Sequence, residues 1–436
     1  MNEPFYRTLL AVAPLFVGMA LLIAGNGLQT TLMPLRAVAD GISPATVGYM
    51  MSAYYLGYIA GCVFVPRVVQ QTGHIRTFAT FAAFASAIAI GQALYVDAIL
   101  WAVLRGLAGF CFAGLAMVAE SWLNEMVSDS NRGRLGSVYR VIDLAALTGG
   151  QALIIVAPIT GFELFAIVAI AITLALVPLT LAATHAPSPI PGARLPLISL
   201  IRASPVGVFG VLAVGLANGA FWSLGPIYAS NVGRGEGFVA AFMGLAIIGG
   251  ALSAYPIGRF SDRVDRRKVI AAMHFITTAF GIVLMLIGGM AGIALLPLVG
   301  LYGAAMLPLY SLCAAHTNDR LAAGQFVYAS RGLLLMFATG AALGTTGAAE
   351  LMEAFGAPAL FGYTAAIFGC MGLFTLYRIL RHEPPPTAES VGFAAVSGTS
   401  PSAFTAEPQA AAATEGAVEV EVVEDGTDDD TPQEQR

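Results

Sequence analysis

The chain has 436 residues, 57% hydrophobic and only 11% charged, against roughly 25% charge in a soluble globular domain. Its formal net charge of −5 is set by the C-terminal end. Residues 383–436 hold 12 of the 26 acidic side chains and one of the 21 basic ones, so the remaining body is basic. Apolar runs this long leave no polar face for a soluble fold, and no basic cluster resembles a nucleic-acid surface.

A helical membrane span needs about 20 apolar residues. Runs of that kind fall at 8–30, 45–66, 77–96, 99–122, 135–157, 161–183, 205–228, 237–258, 269–288, 291–314, 326–348 and 354–377. They are continuous rather than alternating, which points to helices and not to a barrel of short strands. The first run lacks a clear small-residue cleavage site and reads as a span, not a cleaved signal. The expectation is therefore an all-α integral membrane protein of twelve transmembrane helices. Proline-rich residues 184–204 read as a cytoplasmic linker between two six-helix halves, 1–183 and 205–380. Residues 381–436, rich in Pro, Ala and acid, read as a disordered tail that cannot bury a core.

Basic residues orient the chain. The N-terminal segment, the even-numbered loops and the stretch after the last span carry Arg7, Arg67, Arg76, Arg132, Arg134, Arg194, Arg202, Arg259, Arg263, Arg266, Arg267, Lys268, Arg320, Arg378 and Arg381. The odd-numbered loops carry Arg36 and Arg234. Both termini are thus expected in the cytoplasm. Arg105, Arg140 and Arg331 are left inside predicted spans.

The chain also matches itself at an offset of 191–192. NGLQTTLMPL (26–35) meets NGAFWSLGPI (218–227), Gly57 meets Gly249 and Gly109 meets Gly300. YRVIDLAALTG (139–149) meets SRGLLLMFATG (330–340), which pairs Arg140 with Arg331 and sets Leu334 at the place of Asp143. Two parallel halves are an arrangement of secondary transporters, with a site near the membrane midplane.

Two loops carry motifs. GRFSDRVDRRKVI (258–270) resembles the major facilitator superfamily signature Gly-x-x-x-Asp-Arg-x-Gly-Arg-Arg through Gly258, Asp262, Arg263, Arg266 and Arg267, with Asp265 in place of the second Gly. The first-half copy, PRVVQQTGHIR (66–76), has Gln70 where the Asp would stand. Loop 4–5 resembles a second pattern of that family through Glu125, Arg132 and Gly133, and RGLAGFCFAG (105–114) is similar to its Arg-x-x-x-Gly motif. Together with TGHIRTFA, ESWLNE and GFELFA, these stretches resemble the bacterial YcaD-like branch over nearly all of residues 5–380.

The resemblance implies the major facilitator fold, a multi-pass place in the bacterial inner membrane, and transport by alternating access. It also implies that cargo contacts come from inward faces of spans 1, 4, 7 and 10. The candidates there are Asn26, Gln29, Arg105, Asn218, Trp222, Tyr302 and Tyr310, with Gln151 in span 5 and Tyr54, Tyr55 and Tyr58 in span 2 as further contributors. A cytoplasmic gate is expected from Glu120, Glu125, Arg132, Arg134, Arg140, Asp143, Gly258, Asp262, Arg263, Arg266, Arg267 and Arg331. Asp143 is the proton-coupling candidate, although its pairing with Arg140, three residues away on one helix face, is better read as a charge pair that closes the cytoplasmic side. His274 reads as packing.

No P-loop and no zinc or serine hydrolase pattern is present. The four cysteines all fall in apolar runs with no metal-site spacing. Neither an enzyme, nor a cofactor, nor a metal site is expected. The reading is a monomeric, gradient-driven secondary transporter whose partners are a small organic molecule, membrane lipid and, as a coupling ion, protons. A proton-coupled efflux antiporter and a non-transporting sensor or scaffold working through the tail are the alternatives.

Overall fold

A computed structural model of the chain describes residues 5–126, 129–181, 197–233, 235–287, 292–321 and 326–381, with side chains described outside 124–133 and a few further positions. Linker residues 184–196 and the expected tail from 382 onward lie outside them, as do the side chains of Glu125 and Arg132. The described residues are helical almost throughout. The elements are α1 (Phe5–Ala39), α2 (Pro44–Thr72), α3 (His74–Leu94), α4 (Ala98–Met126), α5 (Asp129–Ala152), α6 (Glu163–Leu174), α7 (Leu176–Leu181), α8 (Leu197–Ala203), α9 (Pro205–Val232), α10 (Glu236–Ser261), α11 (Arg266–Ile287), α12 (Leu295–Met306), α13 (Pro308–Asn318), α14 (Phe326–Phe355) and α15 (Ala359–Arg381).

Local chemistry sets several boundaries. Pro44 opens α2 at a position where its missing N–H costs nothing, and the Ser43 hydroxyl caps that helix by accepting from the Thr46 backbone N–H at 3.3 Å. Gly73, at φ 83°, turns the chain from α2 into α3, a conformation that glycine adopts without strain. The run expected as span 10 is divided at Leu307, where Pro308 starts α13.

Among the described residues, eleven spans are long and apolar enough to cross a bilayer, rather than the expected twelve. The difference lies in the sixth. Within the expected run 161–183, the described residues hold the shorter apolar stretch Glu163–Pro178, divided at Ala175 between α6 and α7. Pro178, inside α7, supplies no N–H to the preceding turn, so the helical ladder is weakest there. Segment 184–204 also contains structure of its own, the short α8.

Divided at residues 184–204, the helices form two groups in chain order, each packed within itself. In the first, α2 packs on α4, α1 on α5 and α6, and α3 on α4 and α6. In the second, α10 packs on α12, α9 on α14 and α11 on α15. The groups meet where α2 lies along α14, α1 along α9 and α5 along α10.

Within each group, glycines let helix backbones touch, as small residues do at membrane helix interfaces. A Cβ on Gly57 would overlap the carbonyl oxygen of Gly106, and one on Gly249 would overlap that of Gly300. Gly109 stands in the same way against the Tyr54 carbonyl, and Gly303 against that of Ala246. By contact, then, Gly300 corresponds to Gly106, and the expected match of Gly109 with Gly300 is off by three residues.

The same shift holds for the next pair of helices. Gly27 faces the backbone of Leu147 as Gly219 faces that of Ala341, and Gly150 presses on Ala24 as Gly344 does on Leu216. The offset is 192 in α1/α9 and α2/α10 but 194 in α4/α12 and α5/α14. Arg140 therefore corresponds to Leu334 and Asp143 to Phe337, and the expected pairing of Arg140 with Arg331 is not the one the contacts make. A three-residue slip keeps a residue on nearly the same helix face, so a Gly- and Ala-rich sequence matches almost as well out of register.

Candidate functional site

A cavity lies between the two groups. The first group lines it with Asn26 and Thr30 of α1, Met51, Tyr54, Tyr55 and Tyr58 of α2, Arg105 of α4, and Leu147 and Gln151 of α5. The second supplies Trp222 and Ser223 of α9 and Leu334, Phe337 and Ala338 of α14. Of the residues expected to contact cargo, Asn26, Arg105, Gln151, Trp222 and the three tyrosines come together here.

The other candidates do not line the cavity. Gln29 is fully buried and donates to Gln92 of α3 at 2.7 Å. Tyr302 stacks in an aromatic cluster with Phe221 and Phe361. Tyr310 lies edge-on to Phe337 at 5.6 Å, behind a lining residue. Asn218 is buried on α9. His274 packs as expected, with Nδ1 donating to the Ile270 carbonyl at 2.7 Å and its ring against Phe368.

Several lining residues were missed, and helical spacing offers the signal for some. Thr30 is one turn from Asn26, Leu147 one turn from Gln151, and Ser223 adjoins Trp222. Nothing in the sequence separates Leu334, Phe337 and Ala338 from ordinary packing residues.

Arg105 is 1% exposed and so does not snorkel to a surface. Its guanidinium carbon sits 4.4 Å above the Tyr54 ring, while Nε and Nη1 have no hydrogen-bond partner. A desolvated cation–π contact is worth about 2 kcal/mol, whereas taking an ion out of water costs several. Tyr54 does not balance that cost alone.

Arg140 and Asp143 form an ion pair within α5, Nη1 to Oδ2 at 2.9 Å, with Asp143 buried. On an ideal helix Arg140 and Leu147 share a face about 10 Å apart, so the pair continues the cavity stripe of α5 toward that helix's N-terminus. Glu120 of α4 is half-buried, within electrostatic reach of Tyr139 on α5 and Tyr310 on α13. Arg134 and Arg331 are both exposed.

The α10–α11 turn is a charge cluster. Arg266 reaches Asp262 at 2.9 Å and Asp319, just after α13, at 3.0 Å. Asp265 accepts from the Arg267 backbone N–H at 3.0 Å and pairs with its guanidinium at 2.9 Å. Asp265 is thus the N-cap of α11, which gives a physical reason for Asp where the motif has Gly. Burial raises the Asp265 carboxyl, but the Arg267 hydrogen bonds and charge outweigh it and hold the group below its ordinary range. Gly258 is buried and Arg263 exposed. The described ion pairs tie α10, α11 and α13 to one another, inside the second group.

At the end of the bundle where α2 begins and α14 ends, hydrogen bonds join the groups. The Ser52 hydroxyl donates to the Ala342 carbonyl at 2.7 Å and lies 2.7 Å from the Thr346 hydroxyl, Tyr49 donates to Glu350, and the Ala45 N–H donates to Glu353 at 3.3 Å.

Membrane-length helices in two groups around a shared polar and aromatic cavity define a multi-pass membrane protein of the transporter type. The sequence pattern of the Major Facilitator Superfamily matches residues 15–337, and the chain belongs to that family. It is 27% identical over 383 residues, 86% of this chain and 97% of the relative, to the MFS-type transporter YcaD of Shigella flexneri serotype 5b. Among solved structures, a point mutant of the nucleoside transporter NupG matches with a TM-score of 0.72 at 12% identity, over 85% of this chain and 100% of that one. A point mutant of the E. coli fucose:proton symporter FucP matches with a TM-score of 0.54 at 18% identity, over 85% and 99%. These likenesses carry the fold.

Proposed function

We propose that the chain is a secondary active transporter that moves a small organic molecule across the bacterial inner membrane by alternating access. The observation that carries this reading is the cavity between the groups, to which each contributes polar and aromatic side chains. In this reading residues 1–183 and 205–380 are two six-helix halves that rock about the cavity. The recurring glycine contacts in α2/α4 and α10/α12 support that division.

The excess of Lys and Arg in the even-numbered loops puts both termini in the cytoplasm. The α2–α14 hydrogen bonds then close the outer side, leaving this conformation directed toward the cytoplasm. Arg140, Asp143 and Glu120 border the cytoplasmic half of the cleft. They form its gate, and Asp143 is the residue that exchanges a proton. An ionisable group within a membrane span is a functional site by default, and a proton symporter among the structures of this fold makes the coupling chemically familiar.

The test is flux into proteoliposomes, over a panel of metabolites and drugs chosen by ligand-induced thermal stabilisation, with and without a pH gradient. Flux that saturates and responds to the gradient is the expected result. Saturable flux indifferent to the gradient removes the proton but keeps the transporter. Deleting 384–436 leaves flux intact in this reading, whereas a sensor or scaffold would lose its cellular phenotype on that deletion.

A further inference from the structure

Among the described residues, Arg105 carries a charge without a counter-ion. It is buried, it cannot shed its proton, and among the described residues no carboxylate stands within ion-pair distance of it. Stacking on Tyr54 occupies one face of the guanidinium, Arg105 is among the residues that line the cavity, and its Nε and Nη1 are buried without a hydrogen-bond partner. A guanidinium edge is a fork matched to the two oxygens of a carboxylate.

The rest of the wall narrows the chemistry further. Tyr54, Tyr55 and Trp222 give the lining its aromatic character. Asn26 Oδ1 and Gln151 Oε1 are buried acceptors, and Trp222 Nε1 a buried donor, without hydrogen-bond partners. Arg105 is the one cation among the lining residues, so a dianion would carry its second charge into the cavity unpaired, and a cation would meet repulsion.

We propose that the cavity binds a monoanionic carboxylate on a flat aromatic body. The carboxylate sits on the Arg105 edge, the ring between the α2 tyrosines and Trp222, and a polar substituent against the amides of Asn26 and Gln151. This rests on the transporter reading and supplies its substrate class.

The experiment is thermal unfolding of the detergent-solubilised full chain with benzoate, phenylacetate and 4-hydroxybenzoate, beside benzamide, 4-hydroxybenzamide and phenethylamine. The carboxylates stabilise the protein at concentrations at least tenfold below the amides, and phenethylamine has no effect. Arg105→Gln abolishes the preference. Its ligand-free melting temperature is no lower than the parent's, because the substitution removes an uncompensated charge. Arg105→Lys keeps part of the preference. Equal stabilisation by amides or the amine, no shift with any carboxylate, or a ligand-free loss of stability in Arg105→Gln would each overturn the inference. Labelled 4-hydroxybenzoate counterflow in proteoliposomes separates the two readings. Carboxylate binding without counterflow above that of empty liposomes leaves the anion site standing and removes the transporter.

Discussion

Ser52 of α2 donates a 2.7 Å hydrogen bond to the carbonyl of Ala342 on α14, joining two helices of different groups 290 residues apart in sequence. One turn earlier, Gly48 lies against Ala349 so closely that a Cβ would overlap the alanine methyl. Gly48→Leu should therefore wedge this end apart. In a cysteine-free background spin-labelled at Ala39 and Phe355, both exposed, the mean inter-label distance should lengthen and transport should fall at least tenfold. An unchanged distance would show that α2 and α14 accommodate the side chain without opening.

The Arg140–Asp143 pair yields a test of mutual dependence. Asp143→Asn leaves a half-buried guanidinium beside an amide, an arrangement costlier than losing both charges. Turnover should drop roughly tenfold in the single variant, and adding Arg140→Gln should recover part of it. A double variant no better than the single one would mean that the two side chains do not serve as each other's counter-ion. By the contact register, the corresponding residues on α14 are Leu334 and Phe337, which line the cavity. Phe337→Leu should thus alter substrate affinity without affecting the charge pair.

Asp265 provides a pH prediction outside the membrane spans. Its carboxyl is held below the ordinary value of about 3.9, because hydrogen bonds and charge from Arg267 outweigh burial. A depressed carboxyl stabilises the fold fully above its unfolded-state value and loses that contribution as pH falls through the folded one. Thermal unfolding of the solubilised protein should therefore weaken below about pH 4. Asp265→Asn, which keeps a capping oxygen, should flatten this acid limb. Asp265→Ala should lose about 0.5–2 kcal/mol at neutral pH, the worth of a helix cap.

Gly57→Ala and Gly249→Ala each drive a methyl into a backbone carbonyl. Overpacking of this kind costs about 1–3 kcal/mol, and the two variants should lower the melting temperature alike. Gly149, exposed on α5 with nothing within 4 Å of where a Cβ would stand, is the control and should tolerate alanine. A Gly249 variant as stable as this control would show that α10 and α12 can separate without cost.

Apolar run length made most spans legible, and a polar group in such a run pointed to Asn26, Arg105, Gln151 and Trp222 at the cavity. The same reasoning failed for Gln29 and Tyr302, because a buried amide or phenol satisfies a neighbouring helix as readily as it faces cargo. Leu334, Phe337 and Ala338 stayed hidden for the complementary reason: apolar residues that line a cavity have the composition of those that fill a core. The divided sixth span could have been read from Pro178, which composition averages away. The register error in α5 and α14 followed from matching residue types, whereas backbone contacts fix it.

The seams inside each group and the seam between them differ in the balance of their materials. Inside, glycines seat backbone directly on backbone, as at Gly57 and Gly106. Water cannot enter such a joint, nor can a side chain rotate to release it. Between the groups Gly48 meets the Ala349 methyl rather than backbone, and Ser52, Tyr49 and Glu350 make side-chain hydrogen bonds that water can replace nearly one for one. Each group should consequently turn as a stiff body, like the two leaves of a clasp, with the strain of every cycle confined to the seam that solvent can heal.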